Sequence, residues 1–309
     1  MSELYLRSMR RDEWATVAEL IYDSTNAWYL AHGRGPIFNG PRSHAELFCK
    51  VYEALDPSCC LLAEDRATGR LAGSCFYHPR PTHVSLGIMN VHPDYFGCGV
   101  ARKLLEWIVA FADDQRKPMR LVSSAVNLDS FSLYNRAGFV PRVIYQDMTL
   151  HVPSSGFNVV VPGRERVRAA VLDDVPRMAA LELELNHIQR ENDLRHFVEN
   201  RAGIWNVSVL DGVGGTLDGF LVSVKHPASN MLGPGMARTE EYAIALIAAE
   251  LDHHRGGQPV WLVPSQCQNI VKMMYDWGAK NCELHFAQAR GTWFAPTGVV
   301  MPTFMPESG

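Results

Sequence analysis

With 309 residues the chain has room for about two domains near 150 residues each, both long enough to bury a core. Hydrophobic residues make up 47 % and charged residues 20 %, the balance of a soluble globular protein, and a formal net charge of −4 gives no basis for nucleic acid or an anionic membrane as partner. No apolar run approaches the roughly 18–20 residues of a membrane span, and the N-terminal "MSELYLRSMRRDEW" lacks the apolar centre of a signal peptide, so the expected location is the cytoplasm.

In chain order, "LYLRSM" (4–9) predicts a strand and "RDEWATVAELIYDST" a helix with Trp14, Val17, Leu20 and Ile21 on one face. A loop rich in aromatic residues follows, then a helix over 45–55. "CCLLAED" and "RLAGSCFYH" are strands joined by the turn "RATG". After the Pro79-Arg80-Pro81 break come a strand over 83–91, a helix over 99–115, a strand over 119–126, a helix over 128–137 and the strand "FVPRVIYQDMTL". Hairpins mixed with helical crossovers predict a mixed sheet. The segment 151–163, "HVPSSGFNVVVPG", is the best linker, dividing a domain over 1–150 from a second over 164–309.

Beyond the linker the pattern restarts. "LRSMRRDEWATVAEL" (6–20) aligns without gaps on "VRAAVLDDVPRMAAL" (167–181), "CGVAR" (98–102) on "PGMAR" (234–238), each expected to open a long helix, and "LYNRAGF" (133–139) on "MMYDWGA" (273–279). Three matches in one order predict a duplicated fold. The second copy is shorter before its glycine turn, so its first helices should be reduced. Seven cysteines without a CxxC pair predict reduced thiols and neither disulfides nor zinc. His253-His254 close a helical stretch, where the negative end of the helix dipole accounts for them without a metal.

The stretch "IMNVHPDYFGCGVARKLLEW" places Gly97 and Gly99 between a strand and a helix. A helix start leaves backbone N–H groups unpaired and carries partial positive charge, and glycine lets an oxyanion approach the backbone closely. The pair therefore reads as an anion-binding turn whose donors include Gly97, Gly99, Val100, Ala101 and Arg102. A dinucleotide GxGxxG fingerprint would need glycine where Arg102 stands, and a P-loop would need Gly-Lys-Ser/Thr where Gly99-Val100-Ala101 stands.

Downstream, "NLDSFSLYNRAGF" carries Asn127, Tyr134 seven residues later, and Gly138-Phe139. With these residues the sequence resembles the GCN5-related N-acetyltransferase (GNAT) superfamily. The family's R/Q-x-x-G-x-G/A turn falls on residues 96–101, where Gly99 and Ala101 match and Phe96 replaces the usual basic or amide residue. The resemblance covers roughly 3–150 with specific motifs and 164–290 with weaker ones, and implies a tandem member built from two α+β, GNAT-like domains with mixed, mostly antiparallel sheets. It further implies acetyl-CoA as co-substrate, held where two parallel strands splay, with its pantetheine on the backbone of Met89 and Val91, its pyrophosphate on residues 97–102, and Asn127 also contributing. Tyr134 falls where the family donates a proton to the CoA sulfur.

The acceptor's base is sought among histidines, which titrate near neutrality; His83, at the start of the strand leading to the site, is the candidate, with His78 and Ser85 nearby. For the acceptor pocket the loop with Trp28, Tyr29, His32, Arg34 and Phe38 reads either as a substrate lid whose arginine takes a carboxylate or as an ordinary loop with a hydrophobic anchor. In the second copy Pro234 removes a donor, Glu240 and Glu241 bring acid to the expected phosphate side, and Tyr275 lacks the Gly-Phe close, which reads as a degenerate repeat. The Pro-rich tail is expected to cover a sheet edge. The expectation is an N-acetyltransferase acting on a small-molecule amine, without metal, as a monomer or a homodimer; a non-catalytic CoA-binding or sensing protein is the alternative.

Overall fold

The computed structural model describes residues 3–307. The chain forms two compact units, one of residues up to Pro79 with His83–Leu121 and Phe304–Glu307, the other of Arg80–Thr82 with Val122–Thr303. This division into compact units differs from the division into sequence repeats at 151–163.

In the first unit β1 (Leu4–Ser8), β2 (Cys60–Asp65), β3 (Leu71–Pro79) and β4 (Val84–Val91) pair in succession, all antiparallel. β4 then pairs in parallel with the first residues of β5 (Met119–Ser124), so the sheet is mixed as expected. Three helices accompany it: α1 (Trp14–Ala31), α2 (Glu46–Leu55) and α3 (Val100–Asp114). α3 buries Val100, Leu104, Leu105, Ile108 and Ala112, the one-sided stripe of an amphipathic helix. Its close approach to the sheet depends on Gly73 in β3, where a Cβ would lie 2.7 Å from Val100 Cγ1 and 2.9 Å from the Asn90 carbonyl. α1 runs further than the sequence suggested, taking Trp28 and Tyr29 out of the expected loop and into its last turn. No glycine or proline interrupts 14–32, and the first breaker, Gly33, adopts φ 72° just beyond the helix.

The second unit contains α4 (Leu128–Arg136), β6 (Val140–Thr149), β7 (Val167–Ala169), α5 (Val175–Asn186), α6 (Glu191–Glu199), β8 (Trp205–Asp211), β9 (Leu217–His226), β10 (Ser229–Ala237), α7 (Glu240–His253), β11 (Val260–Pro264), α8 (Gln268–Asp276), β12 (Lys280–Arg290) and β13 (Val299–Met301). Its strands run in the order β12-β6-β11-β10-β9-β8-β7, with β13 added to β10. α5 and α6 have 12 and 9 residues against 18 and 10 in α1 and α2, the expected reduction. α7 is buried almost all round, from Ala243 to Ala248 and at Leu251, and forms the centre of this unit's core. The expected linker is irregular but firmly docked. Val152 and Phe157 are buried, Phe157 N–H donates to Asp252 Oδ1 at 2.7 Å, and the Arg164 guanidinium holds the Phe157 and Val159 carbonyls.

The duplication is visible in matched interactions. Arg7 on β1 joins Glu13 and Glu64, and Arg168 on β7 joins Asp174 and Asp211, while Glu13 and Asp174 each accept from a backbone N–H three residues earlier. Gly219 on β9 repeats Gly73: its Cβ would lie 2.7 Å from Leu246 of α7 and 2.9 Å from the Met236 carbonyl. A lone glycine within a strand marks such a close approach. No disulfide joins the seven cysteines among the described residues.

Candidate functional site: a parted strand and an uncapped helix

β4 is bent by a bulge. Cys75 faces Met89 and Tyr77 faces Leu86, so Gly87 and Ile88 together oppose Phe76. An extra residue of this kind bends its strand, and the pairing of β4 with β5 is confined to Val84–Met119 and Ser85–Arg120 while β4 continues to Val91. Met89 and Val91 occupy this outer stretch and are half-buried. Between them Asn90 fastens β4 to α1, its Nδ2 donating to Ser24 Oγ at 2.8 Å and Thr25 Oγ1 at 3.1 Å.

The turn after β4 is stiffened by a single helical turn, Pro93–Tyr95, capped by His92 Nδ1 on the Asp94 N–H. Gly97 and Gly99 follow with φ 75° and 79°, the left-handed region that costs other residues about 1–2 kcal/mol. A Cβ on Gly97 would meet nothing within 4 Å, so its glycine serves the backbone path and not a crowded contact. α3 starts directly after Gly99 with no side-chain cap and no acid in its first turn. Its first hydrogen bond is Lys103 N–H to the Gly99 carbonyl at 3.1 Å, which leaves the amides of Val100, Ala101 and Arg102 ahead of it as donors. The chemistry of this donor set fits a diphosphate: several aimed N–H groups and a positive dipole end, with no competing carboxylate. Phe96 beside it is 42 % exposed and adds no polar contact.

Asn127 and Tyr134 belong to the second unit. Asn127 caps α4, its Oδ1 accepting from the Ser130 N–H at 2.9 Å. Tyr134 is buried on α4, 6.0 Å from the Phe139 ring. Of the expected pocket loop, Arg34 is exposed and Trp28 stacks on His32 with ring centroids 4.0 Å apart. Phe38 is an anchor. It is buried, and its backbone N–H and carbonyl both bond the Asn26 side chain at 2.9 Å.

His78, named in the sequence beside His83, stands near the bulge in a polar cluster whose other members, Asp56, Tyr52 and Glu307, the sequence did not single out. His78 of β3 is fully buried, and its Nδ1 meets Asp56 Oδ2 at 2.7 Å. Its Nε2 is 3.8 Å from Glu307 Oε2, which also accepts from the Tyr52 hydroxyl at 2.8 Å. The same Nε2 would lie 2.8 Å from a Cβ on Gly87, which puts the imidazole against the bulge. Burial pushes the Glu307 carboxyl up to about 8, beyond the lowering by its Tyr52 hydrogen bond, and raises the Tyr52 phenol as well. His83 and Ser85, also buried, stand at the inner end of β4, with Ser85 directly across from His78. The only local signal for Glu307 was a carboxylate in an otherwise apolar tail.

The second copy has the same scaffold without the opening. β10 parts from β11 after Met231–Val260 and Leu232–Trp261, and Gly233 and Pro234 form the bulge opposite Val222. Here the tail closes the gap. β13 pairs its residues 299–301 with Gly235–Ala237 of β10, an interior strand that also pairs with β9 and β11, so this part of the tail fills a split within the sheet and not the edge expected of it. The expected equivalence of 98–102 with 234–238 is therefore wrong: Pro234 to Ala237 lie in β10, and only Arg238 and Thr239 connect it to α7. Thr239 caps α7 on the Tyr242 N–H, and Glu240 takes the first amides of α8, Asn269 and Ile270. The match of 133–139 with 273–279 holds, with Met274 at the place of Tyr134. The helix-closing bonds Phe139 N–H to Tyr134 and Ala279 N–H to Met274 are equivalent, so a buried methionine takes that place, and Tyr275 is half-exposed on Gln146.

Comparison with known proteins agrees with both halves. Residues 21–139 match the acetyltransferase (GNAT) family, and residues 178–284 match an acetyltransferase (GNAT) domain. A Pyrococcus horikoshii protein assigned as an acetyltransferase superposes with a TM-score of 0.75 at 14 % identity, over 98 % of this chain and 95 % of its own. A GCN5-related N-acetyltransferase from Sphaerobacter thermophilus gives 0.61 at 15 % identity over 95 % and 98 %. A tandem GNAT protein from the clavulanic acid biosynthesis pathway gives 0.60 at 15 % identity over 94 % and 100 %. Among curated sequences, the Bacillus subtilis UPF0157 protein YqkA is 32 % identical over 74 residues, which span 24 % of this chain and 21 % of that protein. The described residues contain no helix long and apolar enough to cross a membrane. The chain belongs to the GNAT acetyltransferases, as a tandem member with one GNAT repeat in each half of its sequence.

Proposed function

We propose that the chain transfers an acetyl group from acetyl-CoA to the amine of a small-molecule acceptor, using one cofactor site, in the first repeat (1–150). The observation that carries this reading is the combination of a bulged, parted β4 with an uncapped α3 entered through two left-handed glycines. The backbone of Met89 and Val91 would hold the pantetheine, and the amides of Gly97, Gly99, Val100, Ala101 and Arg102 the diphosphate. The thioester supplies the acetyl carbon and a thiolate leaving group. Asn127 shapes the start of α4, and Tyr134 on that helix supplies the thiolate's proton. Uptake of the amine's proton belongs to the buried histidine end of the β3–β4 hairpin, where His83 stands. Trp28, Tyr29 and Arg34, at the end of α1 and just beyond it, contribute to acceptor binding. The second repeat (164–309), reached through 151–163, supports this site and binds no CoA, for its parted strand is closed by β13.

The test is release of CoA thiol over a panel of amino acids, polyamines and amino sugars, beside calorimetry with acetyl-CoA. Binding with acceptor-dependent thiol release supports the enzyme. Binding without release on any amine supports a CoA-sensing protein instead, the reading that Phe96, in place of a polar phosphate contact, favours.

A further inference from the structure

We propose that Asn90 is a positioning residue of acetyl transfer. By clamping residues 22–26 of α1 to the outer stretch of β4, it sets the acceptor-binding end of α1 against the strand that holds the thioester. This rests on the acetyltransferase reading above and adds to it the part that aligns the two substrates.

Residues 22–26, "YDSTN", are a polar run inside an 18-residue helix. Asp, Ser, Thr and Asn are poor residues for a helix interior because their side chains compete for the backbone. Here each has a partner outside the helix. The Asn90 amide donates to Ser24 Oγ at 2.8 Å and to Thr25 Oγ1 at 3.1 Å. The Asn26 side chain holds both the N–H and the carbonyl of Phe38. The Tyr22 hydroxyl donates to the Gly40 carbonyl at 3.0 Å, and Asp23 accepts from Arg42 Nε at 2.8 Å. One stretch of α1 therefore ties β4 to the loop over 33–42. Trp28 and Tyr29 lie one turn further on, on the side of the helix that carries Ser24 and Thr25.

Stability alone does not account for Asn90. It is 6 % exposed, and its Oδ1 has no hydrogen-bond partner among the described residues. A buried acceptor left unpaired destabilises a fold, where an apolar side chain of similar size does not. Neighbours along a strand point to opposite faces. The amide therefore turns to α1, while Met89 and Val91 on either side of it supply the backbone proposed for the pantetheine. Misplacing a reactant by about 1 Å costs about a hundredfold in rate, so a side chain that fixes α1 on this strand governs turnover through the acceptor residues beyond it.

The experiment compares the full-length chain with Asn90→Leu and with the double variant Ser24→Ala/Thr25→Val. It measures kcat and KM for the best acceptor, acetyl-CoA affinity by calorimetry, and melting temperature. Asn90→Leu should keep the melting temperature and the acetyl-CoA affinity of the wild type while kcat/KM for the acceptor falls about tenfold to a hundredfold. Ser24→Ala/Thr25→Val breaks the same clamp from α1 and should give the same split, and it decides alone should Asn90→Leu not fold. All three changes together should lose little more than either set, because both remove one contact. Wild-type kcat/KM in a folded variant overturns the assignment while leaving acetyl transfer standing, as does a loss of rate that only matches the loss of folded protein. Absence of acceptor-dependent thiol release from the wild type overturns the acetyltransferase reading and this one with it.

Discussion

Replacing Gly87 by alanine tests the bulge on which the site is built. The added Cβ would fall 2.8 Å from His78 Nε2, 3.0 Å from the Phe76 carbonyl and 3.1 Å from Phe76 Cβ. Two of these three atoms are held by β3 itself, so rotating the imidazole relieves only part of the crowding, and the bulge must shift. Overpacking of this kind costs about 1–3 kcal/mol, and at about 4 °C per kcal/mol, where the values for smaller and larger domains meet, the melting temperature should drop by roughly 4–12 °C in calorimetric scanning. Because the bulge lies where β4 parts from β5, beside the Met89 and Val91 backbone proposed to hold the pantetheine, turnover should fall by more than the loss of folded protein explains. Gly97→Ala is the counterpart: with open space around its Cβ it should cost only about the 1–2 kcal/mol of a left-handed alanine. A Gly87→Ala protein with unchanged melting temperature and unchanged kcat would refute the geometry assigned to the bulge.

Tyr134→Phe should lower kcat far more than acetyl-CoA affinity, measured by steady-state kinetics beside calorimetry; equal losses in both would contradict a proton donor. The Glu307 carboxyl binds a proton in the folded chain up to about pH 8 because burial opposes its charge, while in the unfolded chain it releases it near 4.3. Between those values the native state holds the extra proton, so this group's contribution to stability falls as pH rises, by at most about 5 kcal/mol in total. Chemical denaturation at several pH values should show that slope in the wild type and not in Glu307→Gln.

The most local features were the most legible. Gly97 and Gly99 announced the turn because a left-handed backbone leaves few alternatives to glycine, and the gapless match of 6–20 with 167–181 reappears as the same Arg7–Glu13 and Arg168–Asp174 pairs. The short match "CGVAR"/"PGMAR" misled because glycine also serves inside β10, packed against β9: a Cβ on Gly235 would lie 2.5 Å from Leu221 Cδ1 and 3.0 Å from the Phe220 carbonyl. The gapless match of 133–139 with 273–279 sets Met274, and not the neighbouring Tyr275, at the place of Tyr134, and the helix-closing bonds agree. Glu307 stands 255 residues from its hydrogen-bond partner Tyr52, a pairing that no periodicity in a single sequence can reveal. The docked segment 151–163 shows the same limit, for Pro, Ser and Gly mark irregular backbone without saying whether it is packed.

The central claim is a single diphosphate-binding helix start in the first repeat, its counterpart in the second having been closed by strand and side chain. Titration of the full-length chain with acetyl-CoA measures this directly. One molecule should bind per chain, with affinity sharply reduced when Gly99 is replaced by valine and unchanged when Glu240 is replaced by glutamine. Two equal sites, or one site indifferent to Gly99, would contradict it.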